Sequence, residues 1–421
     1  MLDMRQLRKL TVLLLTLGLF GTACGSDGSA AASASAAARD RSPQVSDSDT
    51  SAVADALNEF AFDLYNQMRS HDAKVNLWFS PQSIRAMLAM AMMGSAGDTR
   101  LELRKALHLT LPDERLYAAL NALDLSLTQR KDVTVEEGNW IADFSGGKLK
   151  KPYTERLAKH FGVAVDQMPE GDLGEAARQI NAAVEKRTHG RVKNFVTADD
   201  LAGVRDVLIN TTYFKGEWTT GFDAKYTEPG PFERLDGSTH DVPMMSTETK
   251  DARFTTTGSA TMVEIPYKGY MSMAIVMPDS GKFDDVVSTL DAATWQDLFA
   301  DLNRYEVMLT LPKFELKPQK SADITNDLKA LGLTNMFDPD RADFTPMSKE
   351  ELYMSWVLHR ADLTVDEKGT IASAATAGGM KTTAAPIRNE VVIDKPFVVA
   401  IVDNNTSAIL FLGQITNPGG S

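Results

Sequence analysis

Ser145-Gly146-Gly147-Lys148 has the S-x-x-K spacing, in which a lysine can activate a serine for acyl transfer. The companions of that chemistry are missing. Lys381-Thr382-Thr383 is not K-T-G, and Gly94-Ser95-Ala96-Gly97 is one residue short of the G-x-S-x-G nucleophile turn. The six histidines have no metal-ligand spacing, and His108, His160 and His189 read as ordinary surface positions. No metal or cofactor is expected, and the chain does not read as an enzyme. What remains is the stretch Glu367 to Asn389, EKGTIASAATAGGMKTTAAPIRN, small and polar between two segments that read as strands. Structureless loops of this length are uncommon in compact domains and are usually functional or disordered. This one has the composition of a strand that is not yet in a sheet.

The elements that must hold such a loop begin well into the chain. Arg5, Arg8 and Lys9 form a basic n-region, Leu10 to Phe20 an apolar run too short for a permanent span, and Gly21-Thr22-Ala23 a cleavage site. Residues 1–23 therefore read as a signal peptide. Cys24, the only cysteine, follows at once. Its place after Ala23 resembles a bacterial lipoprotein lipobox, with Gly21 where such boxes usually carry Leu; the alternative is a plain secretory signal and an incidental cysteine. No disulfide can form within the chain. Residues 24–50 are Ser/Ala/Asp-rich without hydrophobic periodicity, a flexible tether. The charge of the whole chain is −13, and loss of the leader, with three basic residues and one acid, takes it to −15. That acidity argues against nucleic acid as a partner, since phosphate binding needs clustered Lys and Arg.

After the tether the pattern is globular. Leu57, Phe60, Ala61, Leu64 and Met68 recur at helical spacing, and Ser80-Pro81 opens a helix to Met93 that is apolar nearly all round. A helix is expected over Asp172–Lys186. Strands are expected at Val133–Val135, Val207–Phe214, Val307–Phe314 and Leu363–Val365, with a hairpin across Tyr267–Tyr270. Helices concentrate early and strands late, so the class is α+β, and no composition break divides residues 51–421.

With these segments in place the chain resembles a serpin throughout 51–421. Asn76-Leu-Trp-Phe-Ser80-Pro81-Gln-Ser83-Ile84 is similar to the family's first strand-to-helix motif, and Ile180-Asn181 to Gly190 to its helix over the main sheet. Asn210 to Trp218, Val242-Pro243-Met244-Met245, Leu311-Pro312-Lys313-Phe314 and Leu410 to Pro418 complete six collinear matches. The resemblance implies three β-sheets, roughly nine helices and an exposed reactive-centre loop. It implies suicide inhibition of serine proteases: the loop is cut, the protease is held as an acyl-enzyme, and the cut loop enters the large sheet as a new strand. Inhibition of a cysteine protease and a non-inhibitory serpin are the alternatives within the family. A solute-binding envelope lipoprotein, supported only by signal, tether and acidity, is the remote one.

In the family the hinge begins at Glu-x-Gly-Thr, here Glu367-Lys368-Gly369-Thr370. Side chains on a strand alternate between faces. With Thr370 as the first inward residue, Ala372, Ala374, Thr376, Gly378, Met380 and Thr382 follow, none charged, while Lys381 faces outward. About fourteen inserted residues would gain ladder bonds worth roughly 0.5–1.5 kcal/mol each, and would carry a tethered protease about 45 Å. Sixteen residues on from Glu367 lies Thr383, so the reactive bond expected is Thr383–Ala384. Counting back from Lys395-Pro396-Phe397 gives Ala385, whose bond to Pro386 is a poor substrate, so Ala384–Ala385 is second choice. Lys381 and Arg388 would suit a trypsin-like enzyme but lie off position. A small residue at the cut points to an elastase-like or subtilisin-like target. By the same resemblance Ser80, Ser83, Asn210 and His359 form a polar shutter under the sheet, and Trp218 marks the breach where insertion starts. The expected protein is extracellular and monomeric, attached to the cell-surface membrane only through a lipid on Cys24.

Overall fold

The computed structural model describes residues 39–370 and 389–419, apart from the single positions 145, 170, 205 and 319. The leader, Cys24, Ser145, Ala372, Ala374, Thr383, Ala384 and Ala385 lie outside the described residues.

Caps and apolar period set the helices. α1 (Asp47–Arg69) starts on Ser46, whose hydroxyl accepts the Asp49 N–H, and buries Val53, Leu57, Phe60, Ala61 and Leu64. α2 (Pro81–Met93), capped by Ser80, is buried at every residue, as a helix without a polar face must be. α3 (Gly97–Ala106), α4 (Asp113–Thr128), α5 (Lys151–Phe161) and α6 (Leu173–Arg187) follow. The short α7 (Phe283–Val287), α8 (Ala292–Ala300) and α9 (Thr325–Ala330) bring the described residues to nine α-helices.

Three sheets carry the strands. The first runs β1 (Leu77–Phe79), β19 (Ile409–Ile415), β18 (Phe397–Asp403), β9 (Met271–Pro278), β8 (Ala260–Pro266), β7 (Arg253–Thr256), β10 (Asn303–Arg304). The second is β17 (Asn389–Val392), β11 (Val307–Pro312), β6 (Thr239–Thr249), β5 (Thr227–Glu233). The third, which holds the site, is β12 (Phe314–Leu316), β15 (Leu363–Asp366), β16 (Gly369–Thr370), β4 (Asp206–Glu217), β2 (Val133–Asp143), β3 (Ala164–Gln167). A two-residue ribbon, β13 (Ala322–Asp323) with β14 (Leu358–His359), lies apart from these.

α2 packs against both β4 and β19, so the main core lies between the first and third sheets. β18 and β19 are buried along their whole length, which explains their unbroken apolar sequence. On the other face of the third sheet, Trp140, Val207 and Ile209 meet Ile180 and Val184 of α6, with the Arg187 guanidinium 4.1 Å from the Trp140 ring centre.

The tether drawn to residue 50 ends earlier. α1 begins at Asp47, and Asp40 N–H already bonds the Lys159 carbonyl at 2.9 Å. These anchoring contacts are polar, so hydrophobic periodicity gave no sign of them. Two of the histidines also depart from the surface reading. His108 is half-buried, with a nitrogen 2.7 Å from each of Glu59 and Asp63, and His160 is half-buried against Tyr117. His189 is exposed and pairs with Glu136 at 2.9 Å.

Candidate functional site

The chain leaves β15, turns through Glu367 and Lys368, and comes back as β16 between β15 and β4. Thr370 pairs with Val365 on one side and Gly216 on the other, and Gly369 with Asp366 and Glu217, all antiparallel. This rung demands glycine. Gly369 has φ 151°, and a Cβ there would sit 2.0 Å from the Gly216 carbonyl oxygen. Gly216 is as constrained, since its own Cβ would press on the Phe214 and Tyr267 rings at 2.7 and 2.9 Å.

Thr370 points inward and is 2% exposed. Its hydroxyl lies 2.5 Å from the Tyr267 hydroxyl. Burial pushes that phenol far above its ordinary range, so it stays neutral and able to donate. Tyr267 stacks on Trp218, with ring centres 4.3 Å apart and planes 9° off parallel. The Trp218 indole N–H donates to the Asp366 carbonyl, and its backbone N–H to the Lys368 carbonyl, each at 3.0 Å. Trp218 and the turn at 366–368 are thus one unit.

Glu367 is held from two sides. Lys313 Nζ lies 2.9 Å from its Oε2, and Thr227 Oγ1 donates to Oε1 at 3.0 Å. Burial works to raise its pKa, but the Lys313 hydrogen bond leads the contacts that outweigh burial and keep the carboxyl below its usual value.

Beneath the rung the third sheet is split. Among the described residues, β4 has no ladder partner on this side below Gly216, and the facing segment, residues 351–362, makes none with β4. The cleft between them runs from Thr370 down to Asp206 and is floored by Trp78, Met87 and Phe411. Ser83, Asn210 and His359 all line it.

Ser80, Ser83, Asn210 and His359, expected to form one polar cluster, are not joined in one hydrogen-bonded network. Ser80 Oγ donates to the Leu410 carbonyl and accepts the Ser83 N–H, while the Ser80 N–H donates to His359 Nε2 at 3.0 Å. Asn210 instead donates to Asn139 Oδ1 across β4 and β2 at 2.5 Å, and Asn139 donates to the Phe161 carbonyl. Among the described residues the expected single network is two, one on each wall of the cleft. Burial lowers His359 to a pKa of about 4, keeping it a neutral acceptor.

Tyr267, Asn139, Thr227 and Lys313 escaped sequence reasoning as site residues. Lys313 stood inside a quoted motif and Tyr267 at a hairpin tip, and only the tertiary approach of Glu367 and Thr370 gives them a role. Among the described residues no group of His, Cys, Asp and Glu could hold a metal, and no helix is long and apolar enough to cross a membrane.

Comparison with known proteins bears on this arrangement. Residues 55–418 match the family model described as serpin (serine protease inhibitor). The chain is 31% identical to plasminogen activator inhibitor 1 of Sus scrofa, over 87% of this chain and 93% of that protein. It is 32% identical to an uncharacterized serpin-like protein of Thermococcus kodakarensis, over 87% and 86% of the two. Among solved structures, human thyroxine-binding globulin in complex with thyroxine covers 88% of this chain and all of its own, at 25% identity and TM-score 0.79. The thermophilic serpin tengpin in its native state covers 89% and 95%, at 25% identity and TM-score 0.77. The family consists mostly of protease inhibitors and includes members that do not inhibit. With the Gly369–Thr370 rung set between two strands and a family match over most of its length, this chain belongs to the serpin family.

Proposed function

We propose that the protein is a suicide inhibitor of serine proteases, with Glu367–Thr370 as hinge and Thr383–Ala384 as bait. The observation that carries this reading is the Gly369–Thr370 rung. It already forms the top of a strand between β15 and β4, and among the described residues no strand continues it below. A strand that kept the two registers would carry Ala372 between Phe214 and Leu363, Ala374 between Thr212 and Ala361, and Thr376 between Asn210 and His359. Each inward residue of the loop is small or apolar where the floor is apolar. Thr376, a hydroxyl, comes level with the two polar walls of the shutter and would join them. After cleavage the loop could follow this register as a complete strand, carrying the acyl-enzyme with it.

The small residue at the bait suits an elastase-like or subtilisin-like protease. The leader and Cys24 put the protein outside the cell, lipid-anchored, with the inhibitory body as a monomer. Mixing it with elastase-, subtilisin- and trypsin-like proteases and running denaturing gels tests the reading. The expected result is an SDS-resistant covalent complex and a released peptide beginning at Ala384. Cleavage of the loop by every protease without a complex would make the protein a non-inhibitory serpin.

A further inference from the structure

His108 stands just past the end of α3 with its backbone in the left-handed region, φ 51°. Its N–H donates to the Lys105 carbonyl and the Leu109 N–H to the Arg104 carbonyl, the paired bonds of a helix end that usually has glycine at this position. Histidine is uncommon in that conformation, and here its side chain is tied down. Nε2 lies 2.7 Å from Asp63 Oδ2, and Nδ1 lies 2.7 Å from Glu59 Oε2. The two carboxylates are one turn apart on α1, so the ring is held from both edges. A neutral imidazole has one N–H and would turn a lone pair on one of these carboxylates. The arrangement therefore calls for the imidazolium, which carries an N–H on both nitrogens.

The other charges around the ring fit this state. Asp55 on α1 and Arg104 and Lys105 on α3 line the same groove as His108 and Glu59. Arg104 is engaged by Asp113 at the start of α4, at 2.9 Å. The Asp63 hydrogen bond leads, the charges of Asp63 and Glu59 add to it, and together they outweigh burial and hold His108 above the ordinary 6.5. On either side of His108 the chain is anchored in the core by Leu107 and Leu109, 1% and 5% exposed. His71 and His189 each meet one carboxylate among the described residues, which a neutral ring can still serve with its single N–H.

We propose that His108 is a pH-sensitive clasp between the α3–α4 link, residues 107–112, and α1, closed when the ring is charged and released when it is neutral. Because the charged form is favoured in the fold, the clasp's stabilisation is complete below pH 6.5 and is lost as pH rises through the higher folded value. Release leaves the link held by its apolar side chains, so it opens locally more often while the rest of the fold stays closed. The inference concerns the body alone and stands whether or not the loop traps a protease.

In the full chain, hydrogen exchange of the amides of Leu107, His108 and Leu109 is followed from pH 6 to pH 9 and expressed as protection, which removes the pH dependence of the exchange chemistry itself. Protection should fall about fivefold over this range, two half-exposed ion pairs being worth a little over twofold each. His108→Asn keeps a residue that accepts the left-handed backbone, and its profile should be flat at the level the wild type reaches at pH 9. Glu59→Gln leaves one carboxylate and should move the loss of protection to lower pH. Amides of β18, deep in the core, report global opening and should not follow the step. A wild-type profile without the step, or a step that persists in His108→Asn, would overturn the clasp. Should His108→Asn not fold, Glu59→Gln decides, and an unmoved midpoint overturns the proposal.

Discussion

Thr370→Arg should turn the protein from inhibitor to substrate. Thr370 is 2% exposed, and its hydroxyl lies 2.5 Å from the buried Tyr267 hydroxyl. Replacing it orphans that phenol, at about 1–3 kcal/mol. A guanidinium in the same place would be buried against Tyr267, and burying that charge costs several kcal/mol more. Expelling the rung avoids this cost but gives up the start of the strand. Either way the barrier to insertion rises by at least about 4 kcal/mol, which slows it roughly a thousandfold. Hydrolysis of the acyl-enzyme then outruns insertion. On a denaturing gel the variant should run wholly as cleaved chain with free protease, at loop-cleavage rates near wild type. Ile371→Arg, one residue on and expected to face outward, should still give complex. Trapping by Thr370→Arg at wild-type yield would refute the claim that this side chain must lie beneath the sheet.

Tyr267→Phe should cost about 1 kcal/mol of rung stability, read as a change in Trp218 fluorescence and easier proteolysis near Lys368. Lys313→Met should lower stability by up to about 1 kcal/mol, since the pair is part-exposed. Because the Glu367 pKa is depressed in the fold, the contribution of its pairing is present above the ordinary carboxyl range near 4.5 and is lost as pH falls through the lower folded value. The variant should therefore show a flatter urea-midpoint profile at acid pH. His359, lowered from 6.5 to about 4, binds its proton in the unfolded chain before it does in the fold. Stability should accordingly be complete above pH 6.5 and fall by about 3 kcal/mol on acidification to pH 4. His359→Asn should remove that slope, and an unchanged slope would mean His359 is not the buried acceptor described.

Much of this was legible in the chain because several signals were local. Ser80-Pro81 fixes a helix start, and the unbroken apolar run of α2 requires deep burial; both hold in the fold. The α+β class and the hairpin at Tyr267–Tyr270 were legible for the same reason. What was not legible depends on pieces of chain far apart. Asn210 is partnered by Asn139 on the neighbouring strand, while His359 accepts from Ser80 on the other wall of the cleft. Tyr267 and Thr370 meet across 103 residues, and Arg39 and Asn121 across 82, through single polar contacts that leave no periodicity to read.

The register also bears on the two ways of counting to the bait. Carried downward from the Thr370–Gly216 rung, the ladder with β4 ends when Met380 reaches Asp206, the first residue of that strand. On the proposed insertion, the stretch that would join the sheet closes one residue before Lys381, the first charge after Lys368 in the loop. Thr383 lies three residues past this last rung and Ala385 five. At roughly 3.3 Å per residue these leave about 10 and 17 Å of slack between the end of the sheet and a tethered active site. An acyl-enzyme is distorted only if the strand draws it hard against the body, and the shorter slack does this better. On the proposed insertion, the same count assigns residues up to Met380 to the sheet and those beyond it to the protease.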